Sequence, residues 1–106
     1  MAIDILVVDD EEMIRWTLKE ALESEGYNVR TFENGRDFLT YFNEHGSDII
    51  LLDVRLPDSN GLDLLLEVTR VDPDAIVVIM TAYGDVETAV NAMKRGAFDY
   101  LAKPYS

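Results

Sequence analysis

The sequence predicts a doubly wound α/β fold, in which a five-stranded parallel sheet with the strand order 2-1-3-4-5 lies between helices. Three observations predict it. Short, β-branched apolar runs alternate with segments whose apolar residues recur at helical spacing. The first, third and fourth runs are apolar at consecutive positions, which is typical of strands buried on both faces. Strands that alternate with helices are joined by crossovers and are therefore parallel.

The five predicted strands are short and bounded by polar or turn residues. They cover residues 3–8, 28–32, 49–52, 75–80 and 100–102. The first strand stops at Asp9-Asp10 and the third stops at Asp53. Acidic side chains therefore stand where these apolar runs end.

Four helices are predicted between the strands, each from apolar residues three or four positions apart. The sets are Ile14, Leu18, Ala21 and Leu22; Phe38, Leu39 and Phe42; Leu62, Leu65 and Leu66; and Val86, Ala89, Val90 and Met93. Gly26 ends the first helix, Pro73 breaks the third, and Gly96 caps the fourth. The order is therefore βαβαβαβαβ.

The composition limits the classes of function. A chain of 106 residues with 48% hydrophobic residues is large enough for one domain with a real core. Nine basic and 21 acidic residues give a net charge of −12, which argues against nucleic-acid binding by this segment. The chain has no cysteine, no apolar run of the roughly 18 residues that span a membrane, and no basic start like that of a signal peptide. We expect a soluble, cytoplasmic domain.

Polar side chains stand at the ends of four predicted strands. Asp9 and Asp10 follow the first, Asp53 the third, Thr81 the fourth and Lys103 the fifth. The carboxyl ends of parallel strands share one edge of the sheet, where such folds bind ligands, and neighbouring strands lie roughly 4.8 Å apart. We therefore expect three carboxylates and one ammonium group to converge.

This convergence predicts a cation and an anion at the same edge. Two like charges about 4 Å apart repel by about 4 kcal/mol at an effective dielectric constant of about 20, so a cation is expected among the carboxylates. An all-oxygen site suits Mg²⁺, with Mn²⁺ as the alternative, and magnesium commonly bridges to phosphate. Lys103 adds positive charge and Thr81 a hydroxyl donor. Together they form a place where a phosphoryl group can be received.

Each of these residues also has an ordinary structural interpretation. Asp9 and Asp10 could cap the first helix, Thr81 could be a loop hydroxyl, and Lys103 a surface lysine. Tyr100 could be a core aromatic with a solvated hydroxyl. The set, rather than any member, favours a shared site.

Four motifs give the chain a family resemblance along nearly its whole length. They are ILVVDDEE, IILLDVRLPDSNG, VIMTAYGD and GAFDYLAKP, in that order. The sequence resembles the receiver domain of two-component response regulators. The segments IRWTLKEAL and MTAYGDVETAV are most similar to the nitrogen-regulator-like subgroup, whose members join a receiver to an ATPase that activates sigma-54 promoters.

The resemblance implies a phosphoacceptor and a metal site. Asp53 matches the phosphorylated aspartate. Asp10 and Asp53 match direct metal ligands, Asp9 matches an acidic neighbour that often acts through water, and the backbone carbonyl of Arg55 matches the remaining protein ligand. Arg55 also falls at a position that tunes hydrolysis of the acyl phosphate.

The resemblance also implies a switch. Thr81 matches the hydroxyl that turns toward the phosphoryl group, Lys103 the lysine that pairs with it, and Tyr100 the aromatic residue that then moves inward. Tyr83 falls at a second position that tunes hydrolysis, and the bond between Lys103 and Pro104 matches one that is usually cis.

The partners implied by the resemblance are a sensor histidine kinase, a C-terminal output domain that regulates transcription, and a possible second copy in a homodimer. A dehalogenase-like aspartyl phosphatase is the alternative from the enzyme class, but it needs a second aspartate where this chain has Arg55. A pseudo-receiver that only docks proteins is the third possibility. We expect a signalling switch rather than a turnover enzyme.

Three further expectations concern the surface. We expect one receiver domain over residues 1–106 that lacks the family's fifth helix, so the sheet near the fourth and fifth strands should be uncovered on one face and the domain should tend to self-associate. Trp16 is expected to be half-buried. His45, the single histidine, is expected to be exposed and not the phosphodonor.

Overall fold

The computed structural model describes residues 2–82 and 85–103. Tyr83 and the bond between Lys103 and Pro104 lie outside these ranges. The strands are Asp4–Val8 (β1), Asn28–Phe32 (β2), Ile49–Asp53 (β3), Ile76–Thr81 (β4) and Asp99–Ala102 (β5). The helices are Glu12–Ser24 (α1), Gly35–His45 (α2), Gly61–Val71 (α3) and Val86–Lys94 (α4).

The sheet has the predicted topology. Its order is β2-β1-β3-β4-β5, and every pair is parallel. The doubly wound fold is therefore confirmed. Two strands extend one residue beyond their predicted ends, because Asp53 pairs with Met80 and Thr81 pairs with Ala102. Both polar residues thus belong to the sheet itself, and its ladder positions them.

The core has one part on each face of the sheet. The larger part packs α2, α3 and α4 against β1, β3 and β4 and includes the fully buried Phe38, Leu52 and Leu65. The smaller part joins Ile5 and Met80 to the half-buried Leu18 and Leu22 of α1. This division follows the right-handed crossovers expected of parallel units.

Side chains at three helix starts satisfy free backbone amides. Asn34 accepts a hydrogen bond of 2.8 Å from the Asp37 N–H at the start of α2, and Asn60 accepts one of 2.8 Å from the Leu62 N–H at the start of α3. Asp85 caps α4 through the Thr88 N–H, at 3.2 Å. Short polar side chains are favoured at these positions because they replace the missing helical acceptor.

The surface near β5 is apolar and open. All four residues of β5 are exposed, Leu101 is 50% exposed, and the neighbouring Phe98 is 67% exposed. This matches the predicted uncovered face, and the described residues contain four helices. Among those residues we find no helix with the length and apolar character that crossing a membrane requires.

The expectation for Trp16 is wrong, whereas the expected exposure of His45 is confirmed. Trp16 is 59% exposed, because it lies two positions after the buried Ile14 and therefore about 200° around the helix. A side chain at that angle faces solvent rather than the sheet. His45 is exposed at the end of α2.

Candidate functional site

Three carboxylates meet at the carboxyl edge of the sheet. Asp9 follows β1 and is fully buried, Asp53 ends β3 and is 4% exposed, and Asp10 is exposed. One carboxylate oxygen from each lies within 4.8 Å of the others. The topology therefore brings together the acidic residues that the sequence singles out.

Lys103 completes the cluster from β5. Its Nζ donates a hydrogen bond of 3.0 Å to Asp53 Oδ2 and lies 3.1 Å from Asp9 Oδ2. Its backbone N–H donates to the Thr81 carbonyl at 2.8 Å, which continues the pairing of β4 and β5. The ammonium group is thus held by the sheet beside two buried carboxylates.

The pKa values reflect this burial. Burial raises the pKa of Asp9 above its usual value, although the hydrogen bond from the Glu11 N–H and the nearby Lys103 ammonium group oppose the shift. Burial likewise raises the pKa of Asp53; Lys103 opposes this and the nearby Asp9 charge adds to it. For Lys103, burial alone would lower the pKa, but contacts with Glu11, Asp53 and Asp9 outweigh it and raise the pKa.

The loop after β3 is held close to Asp53. The Arg55 N–H donates to Asp53 Oδ1 at 3.3 Å, and the Gly61 N–H donates to the Val54 carbonyl at 2.7 Å. A Cβ atom on Gly61 would meet the Asp53 carbonyl oxygen and lie 2.8 Å from Val54 Cα. Only glycine permits this approach, so α3 begins directly against the backbone of the candidate phosphoacceptor.

Asp58 fastens the same loop to α2. Its two carboxylate oxygens accept hydrogen bonds from the Gly35 N–H at 2.8 Å and the Arg36 N–H at 3.0 Å. The Gly35 bond is the main cause of a lowered pKa for Asp58. A negative charge is favourable there because it faces the positive end of the helix dipole.

Of the two predicted switch residues, Thr81 lines the candidate site, whereas Tyr100 lines a separate groove. Thr81 is buried, and its hydroxyl donates to the carbonyl of Ala82 at 3.1 Å. Tyr100 is 47% exposed. It borders an apolar groove of about 350 Å³ on α4 that Val90 and Met93 also line.

The cluster opens into a cavity of about 290 Å³. Its lining includes Asp10, Asp53, Arg55, Thr81 and Lys103. A larger cavity of about 520 Å³ is lined in part by the edge strand β2 and does not include Asp10 or Asp53 in its lining. We place the candidate site in the smaller cavity, because the converging charges lie there.

The donor set fits a divalent cation. Three carboxylates face one ammonium group, and all the acidic ligand atoms are oxygens, which Mg²⁺ and Mn²⁺ accept. Asp9 Oδ2 is buried and, among the described residues, makes no hydrogen bond, although it lies at ion-pair distance from Lys103. The Lys103 ammonium group is shared among three carboxylates, so a cation beside Asp9 Oδ2 would relieve the cost of burying this charge.

Two residues at the site were not predicted from the sequence. Glu11 accepts a hydrogen bond of 3.0 Å from Lys103 Nζ, and Asp58 holds the loop after β3. Glu11 is part of the acidic run at the end of the first strand, which was the one available signal. Asp58 resembles an ordinary turn residue in Pro57-Asp58-Ser59-Asn60-Gly61.

The comparisons with known proteins agree with this geometry. The family model of the response regulator receiver domain matches residues 5–106. The DNA-binding transcriptional regulator NtrC of Proteus hauseri is 45% identical over 102 residues, which cover 96% of this chain and 22% of that protein. The chain thus spans about a fifth of the length of the curated relatives it matches.

Two solved structures are also similar. NtrX from Brucella abortus has a TM-score of 0.93 and 39% identity over 100% of this chain and 25% of that one. A response regulator from Burkholderia pseudomallei, solved with a phosphorylated aspartic acid, a calcium ion and citrate, has a TM-score of 0.88 and 37% identity over 97% of this chain and 61% of that one.

Proposed function

The chain belongs to the response regulator receiver family, and we propose that it is a phosphoacceptor switch in which Asp53 takes a phosphoryl group from a partner histidine kinase. The observation that carries the proposal is the buried Asp53 carboxylate 3.0 Å from the Lys103 ammonium group, at the mouth of a cavity. The chain is a signalling module, not a turnover enzyme.

In the proposed transfer, an oxygen of Asp53 attacks phosphorus in line with the leaving imidazole of a phosphohistidine. The P–N bond breaks, a P–O bond forms, and the imidazole takes up a proton. Lys103 neutralises charge on the transferring oxygens, and the hydrogen bond from the Arg55 N–H orients the attacking carboxylate.

Asp9, Asp10 and Asp53 would hold the metal ion, for which we propose Mg²⁺ or, alternatively, Mn²⁺. Arg55 is one of the residues that line the cavity, and we propose its backbone carbonyl as a further ligand. When bound, the cation would neutralise the carboxylates and the phosphoryl oxygens.

We propose that the switch comprises Thr81, Tyr100 and α4. The Thr81 hydroxyl would leave the Ala82 carbonyl for the phosphoryl group, and Tyr100 would move into the space that opens. α4 packs through the small Ala89 and Ala92, while Val90 and Met93 remain partly exposed. Shallow packing implies a small free-energy gap that new charge can shift.

The wider role follows from similarity. We propose that residues 1–106 are the receiver domain of a longer cytoplasmic protein whose C-terminal output domain regulates transcription, with sigma-54 promoters as the target class. The similarity to NtrC supports this assignment. A homodimer is a possible active form. We propose no direct contact with nucleic acid or membrane for this segment, given its charge of −12.

The test is transfer of radiolabelled phosphoryl from acetyl phosphate with and without Mg²⁺. Wild-type protein should take up label only with Mg²⁺, and Asp53→Asn should take up none. Asp63→Asn, an exposed acidic residue of α3, is the matched control and should behave as wild type. Equal labelling of Asp53→Asn and wild type would rule out the assignment. Turnover of phosphate monoesters would instead support the phosphatase alternative.

A further inference from the structure

Lys103 has one carboxylate partner that neither the metal site nor the phosphoacceptor uses. Its Nζ lies 3.0 Å from Glu11 Oε1, 3.0 Å from Asp53 Oδ2 and 3.1 Å from Asp9 Oδ2. An ammonium group has three hydrogens. Three carboxylate oxygens therefore already surround it, and an added phosphoryl oxygen must displace or share one of these contacts.

Glu11 differs from the other two partners in exposure. Its side chain is 58% exposed, whereas those of Asp9 and Asp53 are 0% and 5% exposed. It also lies outside the group of three carboxylates that could share a metal ion. Turning Glu11 into water therefore costs least, because its carboxylate is already largely hydrated.

The position of Glu11 in the chain makes this contact unusual. Glu11 is the N-cap residue of α1, where a side chain commonly accepts a hydrogen bond from the helix, but it makes no such bond. It reaches instead to Lys103, 92 positions away in the sequence. Its backbone N–H donates to Asp9 Oδ1 at 2.9 Å, which keeps Glu11 at the rim of the site.

We propose that Glu11 is a positioning residue that holds the Lys103 ammonium group in the unphosphorylated protein and is the partner that a phosphoryl group on Asp53 displaces. This inference rests on the proposed function. Glu11 then competes with the phosphoryl group for Lys103, so its removal favours the phosphorylated form. Glu11 acts through Lys103 and is not itself a ligand of the metal.

The experiment compares Glu11→Gln, Glu11→Asp and Glu12→Gln with wild type in binding beryllofluoride, a phosphoryl mimic, with Mg²⁺. Glu11→Gln should bind it about two- to fivefold more tightly, the range expected from loss of a partly exposed ion pair. Glu11→Asp keeps the charge but is one methylene shorter, so it too should bind more tightly. Glu12→Gln removes the same charge from the adjacent exposed residue and should match wild type.

Two further readouts separate this role from a general effect on structure. The NMR signal of the Lys103 ε-methylene, in protein without metal, should shift in both Glu11 variants and not in Glu12→Gln. Calorimetric Mg²⁺ affinity should be unchanged in Glu11→Asp, because the net charge is kept and Glu11 is not a ligand.

The outcomes distinguish the two proposals. Wild-type protein that binds neither beryllofluoride nor a phosphoryl group would overturn the proposed function. If wild type binds beryllofluoride and both Glu11 variants bind it with the same affinity as wild type, only the inference about Glu11 is overturned. The inference would also be overturned if Glu11→Gln and Glu12→Gln both bound beryllofluoride more tightly than wild type and Glu11→Asp did not. The loss of negative charge, rather than the loss of the contact with Lys103, would then be the cause.

Discussion

Gly61→Ala should disturb the candidate phosphoacceptor through its own backbone. The added Cβ would meet the Asp53 carbonyl oxygen and lie 2.8 Å from Val54 Cα, whereas ordinary contact begins near 3.4 Å. The contact with Val54 alone requires one backbone to move by about 0.6 Å, and the closer contact with the Asp53 carbonyl oxygen requires more. Neither neighbour can rotate away, because both belong to the main chain.

The expected cost is that of overpacking, about 1–3 kcal/mol of unfolding free energy. Gly35→Ala is the matched control, because Gly35 is likewise the first residue of a helix. The Cβ of Gly35→Ala would meet Ser59 Oγ, Ser59 Cβ and Leu64 Cδ1, which are all side-chain rather than main-chain atoms. We expect a smaller cost there, and Ser59→Ala should recover part of it.

Two measurements check this reasoning: urea unfolding, and the rate of phosphoryl transfer from acetyl phosphate. Gly61→Ala should lose both stability and rate, because a shift of Asp53 lengthens its 3.0 Å hydrogen bond with Lys103. Gly35→Ala should retain most of the rate. If the two variants are equally stable and equally fast, the close approach of α3 does not position Asp53.

Two other predictions concern stability and association. Asp58→Asn should lower the unfolding free energy at neutral pH by a few tenths to about 1 kcal/mol, since it removes a charge at the start of α2. The pKa of Asp58 in the folded protein lies below its ordinary value of 3.8. The difference in unfolding free energy between Asp58→Asn and wild type should therefore persist above pH 3.8 and shrink as the pH falls through the folded pKa. A difference in urea unfolding that does not change with pH would contradict this. Leu101→Lys should reduce self-association in sedimentation velocity, because Leu101 is a large apolar side chain that is 50% exposed on β5. The exposed Asn43→Lys should not, and equal association in both variants would refute the role of the β5 surface.

Most of the fold could be predicted from the sequence, because the apolar pattern within each element agrees with the alternation of strands and helices along the chain. Ile49-Ile50-Leu51-Leu52 is apolar throughout, and the strand it forms lies between two neighbours with helices on both faces. The convergence of Asp9, Asp53 and Lys103 followed from strand order alone.

The features that could not be predicted from the sequence depend on the directions of side chains and on contacts between residues far apart in the chain. The contact from Lys103 to Glu11 joins residues 92 positions apart, and that from Asp58 to Gly35 joins residues 23 apart. Neither spacing has a periodic signature. The burial of Trp16 was mispredicted because proximity to an apolar stripe does not determine the angle around the helix.

The sheet divides the site into a rigid part and an adjustable part. Asp9 and Asp53 follow from β1 and β3, whose residues are almost all buried, so moving them would disturb a close-packed core. Tyr100 belongs to the exposed edge strand β5, which is paired on one side with β4, and Lys103 follows directly after that strand. Under the proposed function, a phosphoryl group on Asp53 pulls on Lys103 and Thr81. We propose that β5 and the shallowly packed α4 would take up the resulting movement, because their packing opposes it least, and that a partner would bind this surface.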